Sequence, residues 1–253
     1  MRMLLLYLCC GLSLQVMAAS PEPTALIKAA IEHWRGNSSY SEVKMTLHRP
    51  DWQRNLELKS WTQGQADTLV RFTAPPKDAG NATLKIGDAM WLFNPKLNRV
   101  MKLPMSMMSQ SWMGSDFSYN DIAKSDQILS EYTHELVSTK TEADHQIYTL
   151  VAHPKPDAPV VWGKQELKIR DDHVLLAERF FDQDMVLVKQ MTTRKIGPLG
   201  NKSAYPVIMR MTDMTETAHW TEVHIIEGHF NLDLPGYLFT QSNLRNPRPW
   251  TVP

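Results

Sequence analysis

After Gly36 the chain adopts a hydrophobic period of two and holds it over most of its length. Val43, Met45 and Leu47 alternate with Glu42, Lys44, Thr46 and His48, and Leu56 and Leu58 alternate with Asn55, Glu57 and Lys59. The same beat returns at Leu167 and Ile169 and at Val223 and Ile225. Further strand-like runs lie at 69–72, 83–86, 90–93, 99–103, 134–139, 147–152, 174–181, 185–191 and 207–212. Turn residues punctuate them: Gly64, Pro75-Pro76, Gly87-Asp88, Asn94-Pro95, Glu142-Ala143-Asp144, Asp171-Asp172, Asp182-Gln183-Asp184 and Gly197-Pro198.

Alternation of this kind gives each strand one apolar and one wet face. About a dozen such strands at close spacing predict antiparallel meanders, and a sheet that long curls because strand twist accumulates. The expected fold is mainly β with a few helices: an unclosed antiparallel barrel whose apolar face looks inward, with helices left over to cover it. No Gly/Ser linker, repeat or low-complexity tract divides the chain, so one domain is expected over residues 19–253. One helix is legible. Thr24 reads as its N-cap after Pro21 and Pro23; Leu26, Ile27, Ala30, Ile31 and Trp34 recur at helical spacing, and Gly36 ends the run. Its apolar stripe must be buried, either against the sheet or as a plug or lid on the barrel.

The N-terminus reads as an export signal. Arg2 precedes an apolar stretch at 3–14, and Val16-Met17-Ala18 supplies the residues a signal peptidase reads. That stretch falls short of the roughly 20 apolar residues a bilayer span needs. Removal of residues 1–18 would deliver the chain to the periplasm of a Gram-negative cell. Both cysteines, Cys9 and Cys10, lie in the segment removed, so an apolar core would have to carry the stability of the mature chain.

Composition excludes several functions. Lys and Arg number 27 against 27 Asp and Glu, so no counterion-release drive toward nucleic acid exists. No GxSxG, HExxH, CxxC beyond the leader or glycine-rich phosphate loop is present, so neither catalysis nor a cofactor is expected. Asp116, Asp121, Glu135 and Asp182 read as exposed strand edges and turns.

Between residues 101 and 117 the alternation fails. Five of the 15 methionines fall there, with Trp112 and Phe117 among serines. Methionine is unbranched and polarisable and re-packs around ligands of varied shape, so one reading is a mobile lid over an apolar cavity. The other is a loop that buries its methionines in the core. The cavity candidates are Val43, Met45, Leu47, Leu56, Leu58, Leu84, Trp91 and Phe93 from the strands, with Met105, Met107, Met108, Trp112, Met113 and Phe117 from the lid. A Cu(I) site is the alternative function, since Met101, Met105, Met107 and Met108, with Met209, Met211 and Met214, offer soft thioether ligands. The histidines add little: His224 and His229 are five apart, and His33 and His48 are isolated.

Three blocks carry a family resemblance: 70–75 with Gly80, 90–95 with Asn98-Arg99-Val100, and above all 111–122, which reads SWMGSDFSYNDI. They resemble a divergent branch of the LolA-like outer-membrane lipoprotein-sorting proteins, and the resemblance extends over residues 40–244. It implies an incomplete antiparallel barrel, lidded by helices and loops, around a hydrophobic cavity. It also implies a monomeric periplasmic carrier, without chemistry of its own, for lipoprotein acyl chains or other lipids. Such carriers deliver toward the outer membrane or an exporter, with an RND-type inner-membrane exporter or a lipoprotein-release complex as partner. Arg71 and Arg99 are the candidates for the barrel arginine that holds the closed state in the dedicated carrier.

Overall fold

The computed structural model describes residues 21–123 and 126–252, so the leader at 1–18 lies outside the described residues. The alternating segments form thirteen strands: β1 (Ser38–Arg49), β2 (Trp52–Gln63), β3 (Asp67–Ala74), β4 (Ala82–Ile86), β5 (Ala89–Asn94), β6 (Arg99–Lys102), β7 (Tyr132–Glu142), β8 (His145–Pro154), β9 (Lys164–Arg170), β10 (Leu175–Phe181), β11 (Leu187–Leu199), β12 (Lys202–Asp213) and β13 (Trp220–Phe230). They build one antiparallel sheet in the order β6-β5-β4-β3-β2-β1-β13-β12-β11-β10-β9-β8-β7. Every neighbour but one is joined by a short connection. The exception is β1–β13, where Ser39 pairs with Phe230 and His48 with Trp220, and this seam joins the two halves of the chain. The sheet does not close: β6 and β7 are its edges, and residues 103–131 run from one to the other.

Helix α1 (Pro23–Arg35) begins two residues earlier than the sequence indicates. Glu22, not Thr24, is the N-cap, and its carboxylate accepts from the backbone N–H groups of Thr24 (2.9 Å) and Ala25 (2.5 Å). Pro23 fits the first helical position because the N–H it lacks would have no partner there. Thr24 instead pairs its hydroxyl with His134 Nδ1 at 3.0 Å. Leu26, Ile27 and Ala30 are buried as the periodicity predicts, against Ile128, Leu150, Leu167 and Ile169. Gly36 ends the helix at φ 62°.

The Gly197-Pro198 turn is also corrected. Both residues lie inside β11, with Gly197 paired to Tyr205, and the chain reverses at Gly200 and Asn201. Register breaks at 193–199 take up the proline, which has no N–H to give to a ladder. Gly200 has φ 57°, and a Cβ there would stand 2.4 Å from the Gly228 carbonyl oxygen of β13, so both conformation and space demand glycine.

The two faces of the sheet have different covers. On the outer face, the row Tyr40, Trp61, Leu69, Leu84 and Trp91 crosses β1 to β5. It lies under the C-terminal segment, which brings Leu234, Leu238, Phe239 and, from α4 (Gln241–Arg245), Leu244. The inner face is covered by α1 and by the 103–131 segment, which contains α2 (Tyr119–Ala123) and α3 (Gln127–Glu131). Among the described residues no helix is long and apolar enough to cross a membrane.

Candidate functional site: a partly open cavity with polar ends

The inner face is organised in cross-strand rows. Val43, Leu58 and Phe72 form one; Met45, Val223 and Met209 form another. A third runs Leu47, Thr221, Met211, Met191, Glu178, Leu167 and Leu150 over seven strands. Nearer α1 the rows turn polar. Ser39, Thr62, Thr68 and Lys85 are successive neighbours, as are Ser41, Ser60, Val70 and Thr83. Most residues of these rows, together with Ile27, Ala30, Ile31 and Trp34 of α1 and Trp112, Phe117, Ile122 and Ile128 of the covering segment, line a cavity of about 370 Å³. That volume is within the roughly 300–1,000 Å³ usual for small-molecule pockets.

The covering segment is pinned to the sheet at three places. The Trp112 indole N–H donates to Thr83 Oγ1 at 3.0 Å, and its ring packs on Phe72 at 5.3 Å. Asp116 accepts from Arg49 Nη1 (3.1 Å) and Thr221 Oγ1 (2.6 Å). Asp121, on α2, accepts from Ser118 N and Oγ (2.7 and 2.8 Å) and ion-pairs with Lys189 of β11. The Lys189 ammonium stands 4.7 Å from the Trp162 ring centroid and 5.3 Å from that of Phe180. Asp116 and Asp121 are therefore not the exposed turn residues their context indicates: their side chains are 7% and 8% exposed. Each carries its own cation and hydroxyls into the interior, which is what allows a carboxylate to be buried. Between the pins Met113 has φ 55°, a left-handed conformation costly for a side chain with a Cβ. Arg54 donates to its carbonyl (3.4 Å) and Arg49 to that of Gly114 (3.2 Å).

Glu178 is the singular titratable group of the wall. Its side chain is half-buried and lines the cavity. Burial, and then the Asp121 charge, push its carboxyl up to about 7, against a smaller opposing pull from Lys189. His33, at the α1 side, is pushed down from its ordinary value, first by burial and then by Lys202, while its Nε2 contacts the Ala204 carbonyl at 2.8 Å.

The sequence candidates divide among four places. Val43, Met45, Leu58, Trp112 and Phe117 line the cavity. Leu47 and Leu56 lie further along the same face, sealed in the core with Trp112, and Met113 packs on that cluster. Leu84 and Phe93 are buried on the outer face, with Trp91 against them. Met108 is buried with Met90 and Leu103, Met107 packs on that group, and Met105 is 68% exposed. None of the segment's own methionines lines the cavity; only its Trp112 and Phe117 do. The thioethers considered for Cu(I) are dispersed: Met101 and Met105 are exposed, Met108 belongs to one cluster, and Met209 and Met211 are buried on β12. Among the described residues no group of three His, Cys, Asp or Glu gathers as a metal site. Arg71 points outward and donates to the carbonyls of Asn243 and Leu244 (3.0 Å each), while Arg99 is exposed on edge strand β6.

Sequence reasoning missed Arg35, Arg49, Glu178 and Lys189. The available signal was a break of pattern, a lone charge where the strand alternation calls for an inward residue, as at Glu178 between Ala177 and Arg179.

Comparison with known proteins agrees with this geometry. The sequence model of a family described as "Uncharacterized protein" matches residues 64–246. No curated protein matches the chain. Among solved structures, a DUF1329 family protein from Desulfovibrio piger superposes with a TM-score of 0.78 at 22% identity, covering 87% of this chain and 97% of the other. A domain assigned to outer membrane lipoprotein sorting from Vibrio parahaemolyticus gives 0.75 at 20% identity, with 88% and 98% covered. A LolA superfamily protein from Nitrosomonas europaea gives 0.73 at 18% identity, with 88% and 99% covered. The likeness is one of fold, and the fold is the unclosed LolA-like barrel.

Proposed function

Since the chain belongs to the uncharacterized family matched over residues 64–246 and has the LolA-like fold, we propose that it is a periplasmic carrier of acyl chains. One observation carries the reading: a cavity of about 370 Å³, walled by methionine, valine, isoleucine and leucine, lies under a segment fastened by buried ion pairs. Each methylene moved from water into such a wall contributes about 0.8 kcal/mol, so a chain of ten buried methylenes gathers about 8 kcal/mol before the costs of ordering. That is enough to draw a single acyl chain from solution into the protein. The related folds crystallised as lipoprotein-sorting and LolA superfamily proteins support the same reading. In it, the cargo is a lipid or the acylated end of a lipoprotein, and the carrier runs between an inner-membrane exporter or lipoprotein-release complex and the outer membrane. The protein performs no chemistry on what it carries.

The test is to express the full chain with its leader, purify it from the periplasm without detergent, and analyse an organic extract by mass spectrometry. Stoichiometric phospholipid, fatty acid or acylated peptide is the expected result. A lipid-free protein that also fails to bind an added fluorescent fatty acid would refute the carrier.

A further inference from the structure

The cavity is amphipathic, and one cation at its polar end has no ion-pair partner among the described residues. Arg35, the last residue of α1, lines the cavity beside Thr68 of β3. Its Nη2 donates to Thr68 Oγ1 at 3.3 Å, and its buried Nε has no partner among the described residues. The other inward or half-buried cations are answered by the protein. Arg49 has Asp116, Arg54 has Asp78 and Lys189 has Asp121, while Lys85 donates to the carbonyls of Gln65 (2.8 Å) and Ala66 (3.1 Å). Arg35 forms no ion pair among the described residues; Asp126, before α3, lines the same cavity and acts on it from beyond ion-pair distance. Burial disfavours its charge, yet a guanidinium does not give up its proton. A cation so placed, with only one of a guanidinium's N–H donors engaged by Thr68, has an unmet demand for an anion.

The surroundings suit one. Ser39 Oγ and Thr62 Oγ1 lie 2.7 Å apart, and with Thr68 they form the hydroxyl row facing Arg35's end of the cavity. The next residue of that row is Lys85, whose charge is disfavoured by burial and, after the opposing influence of Asp126, by Arg35 itself. Beyond the hydroxyls the wall becomes Val43, Leu58 and the methionines. We propose that Arg35 and its hydroxyl row receive the anionic group of the cargo, a carboxylate or phosphate monoester, while the methionine-lined part receives its chain. The carried molecule is then an acidic single-chain amphiphile, a conclusion that rests on the carrier reading and narrows it.

The test uses the full chain purified from the periplasm and stripped of lipid, titrated with four ligands of one chain length below their micellar concentrations. These are palmitate, hexadecyl phosphate, methyl palmitate and hexadecyltrimethylammonium. Palmitate and hexadecyl phosphate are expected to bind at least about tenfold more tightly than the methyl ester, and the ammonium least of all. Arg35→Gln is expected to remove that preference while leaving methyl palmitate affinity unchanged, and Arg35→Lys to retain it in part. Equal binding of acid and ester by the wild type overturns the proposal with no variant needed, and so does a preference that survives in R35Q. Displacement of palmitate by inorganic phosphate alone would mean a free-anion site and overturns it as well. Failure of all four amphiphiles to bind would instead remove the carrier reading beneath it.

Discussion

Glu178→Gln isolates a carboxyl that the cavity wall holds between apolar cross-strand neighbours. Glu178 sits in register between Leu167 of β9 and Met191 of β11, facing the cavity, with Asp121 and Lys189 as the charges acting on it. A carboxyl lifted from 4.5 to about 7 in the fold is protonated there under conditions in which the unfolded chain ionises it. Its contribution is fully present below pH 4.5 and is lost as the pH rises through about 7. At 1.36 kcal/mol per pKa step, the wild type loses about 3 kcal/mol across that window on this account. Glutamine keeps the shape and never ionises. The variant should therefore match the wild type near pH 4.5 and exceed it by about 2–3 kcal/mol above pH 7, the sign being stabilisation at the alkaline end. Urea unfolding followed by tryptophan fluorescence, repeated across that pH range, measures it directly. Parallel stability curves for the two proteins through the window would refute the account, because desolvation of Glu178 would then cost the fold nothing.

Other expectations concern the fastenings and the sheet. Asp121→Asn or Lys189→Met alone should cost about 3–5 kcal/mol in urea unfolding, since each strands a buried charge; the double variant should recover much of the loss. Trp112→Phe keeps the ring against Phe72 but gives up the bond to Thr83. It should cost about 1 kcal/mol and speed hydrogen exchange in residues 112–118 relative to the β1–β13 seam. Gly200→Ala should lower stability by about 1–3 kcal/mol, read as a lower urea midpoint, because it meets both a left-handed φ and the Gly228 carbonyl. Met105→Ser, at an exposed position, should leave both stability and fatty-acid binding within error of the wild type.

The strand pattern was legible because burial of one face writes itself into every second residue: Val43, Met45 and Leu47 face inward as a set. Which inward residues border the cavity was not legible. Leu84 and Phe93 alternate as well as Leu58 does, but they belong to the opposite face, where the C-terminal segment rather than a ligand covers them. Period two fixes that a strand has two faces and leaves open what lies on each. The ion pairs were hidden for a different reason. Arg49 and Asp116 are 67 positions apart, and Lys189 and Asp121 are 68, so only the folding of the 103–131 segment across the sheet brings them together. The helix cap lies at Glu22 rather than Thr24 because Pro23 suits the first helical position, which moves the start two residues earlier than cap preference alone indicates.

The path of residues 103–131 from edge strand β6 to edge strand β7 also sets how the barrel can breathe. The same tether spans the gap between the sheet's two margins, and its anchors at Asp116 and Asp121 grip β1 and β13 on one side and β11 on the other. Widening the sheet therefore pulls on these anchors, and releasing them allows the margins to part. Girth and closure are a single mechanical variable in this molecule, so strain applied at either edge strand reaches the cavity wall through the segment that covers it.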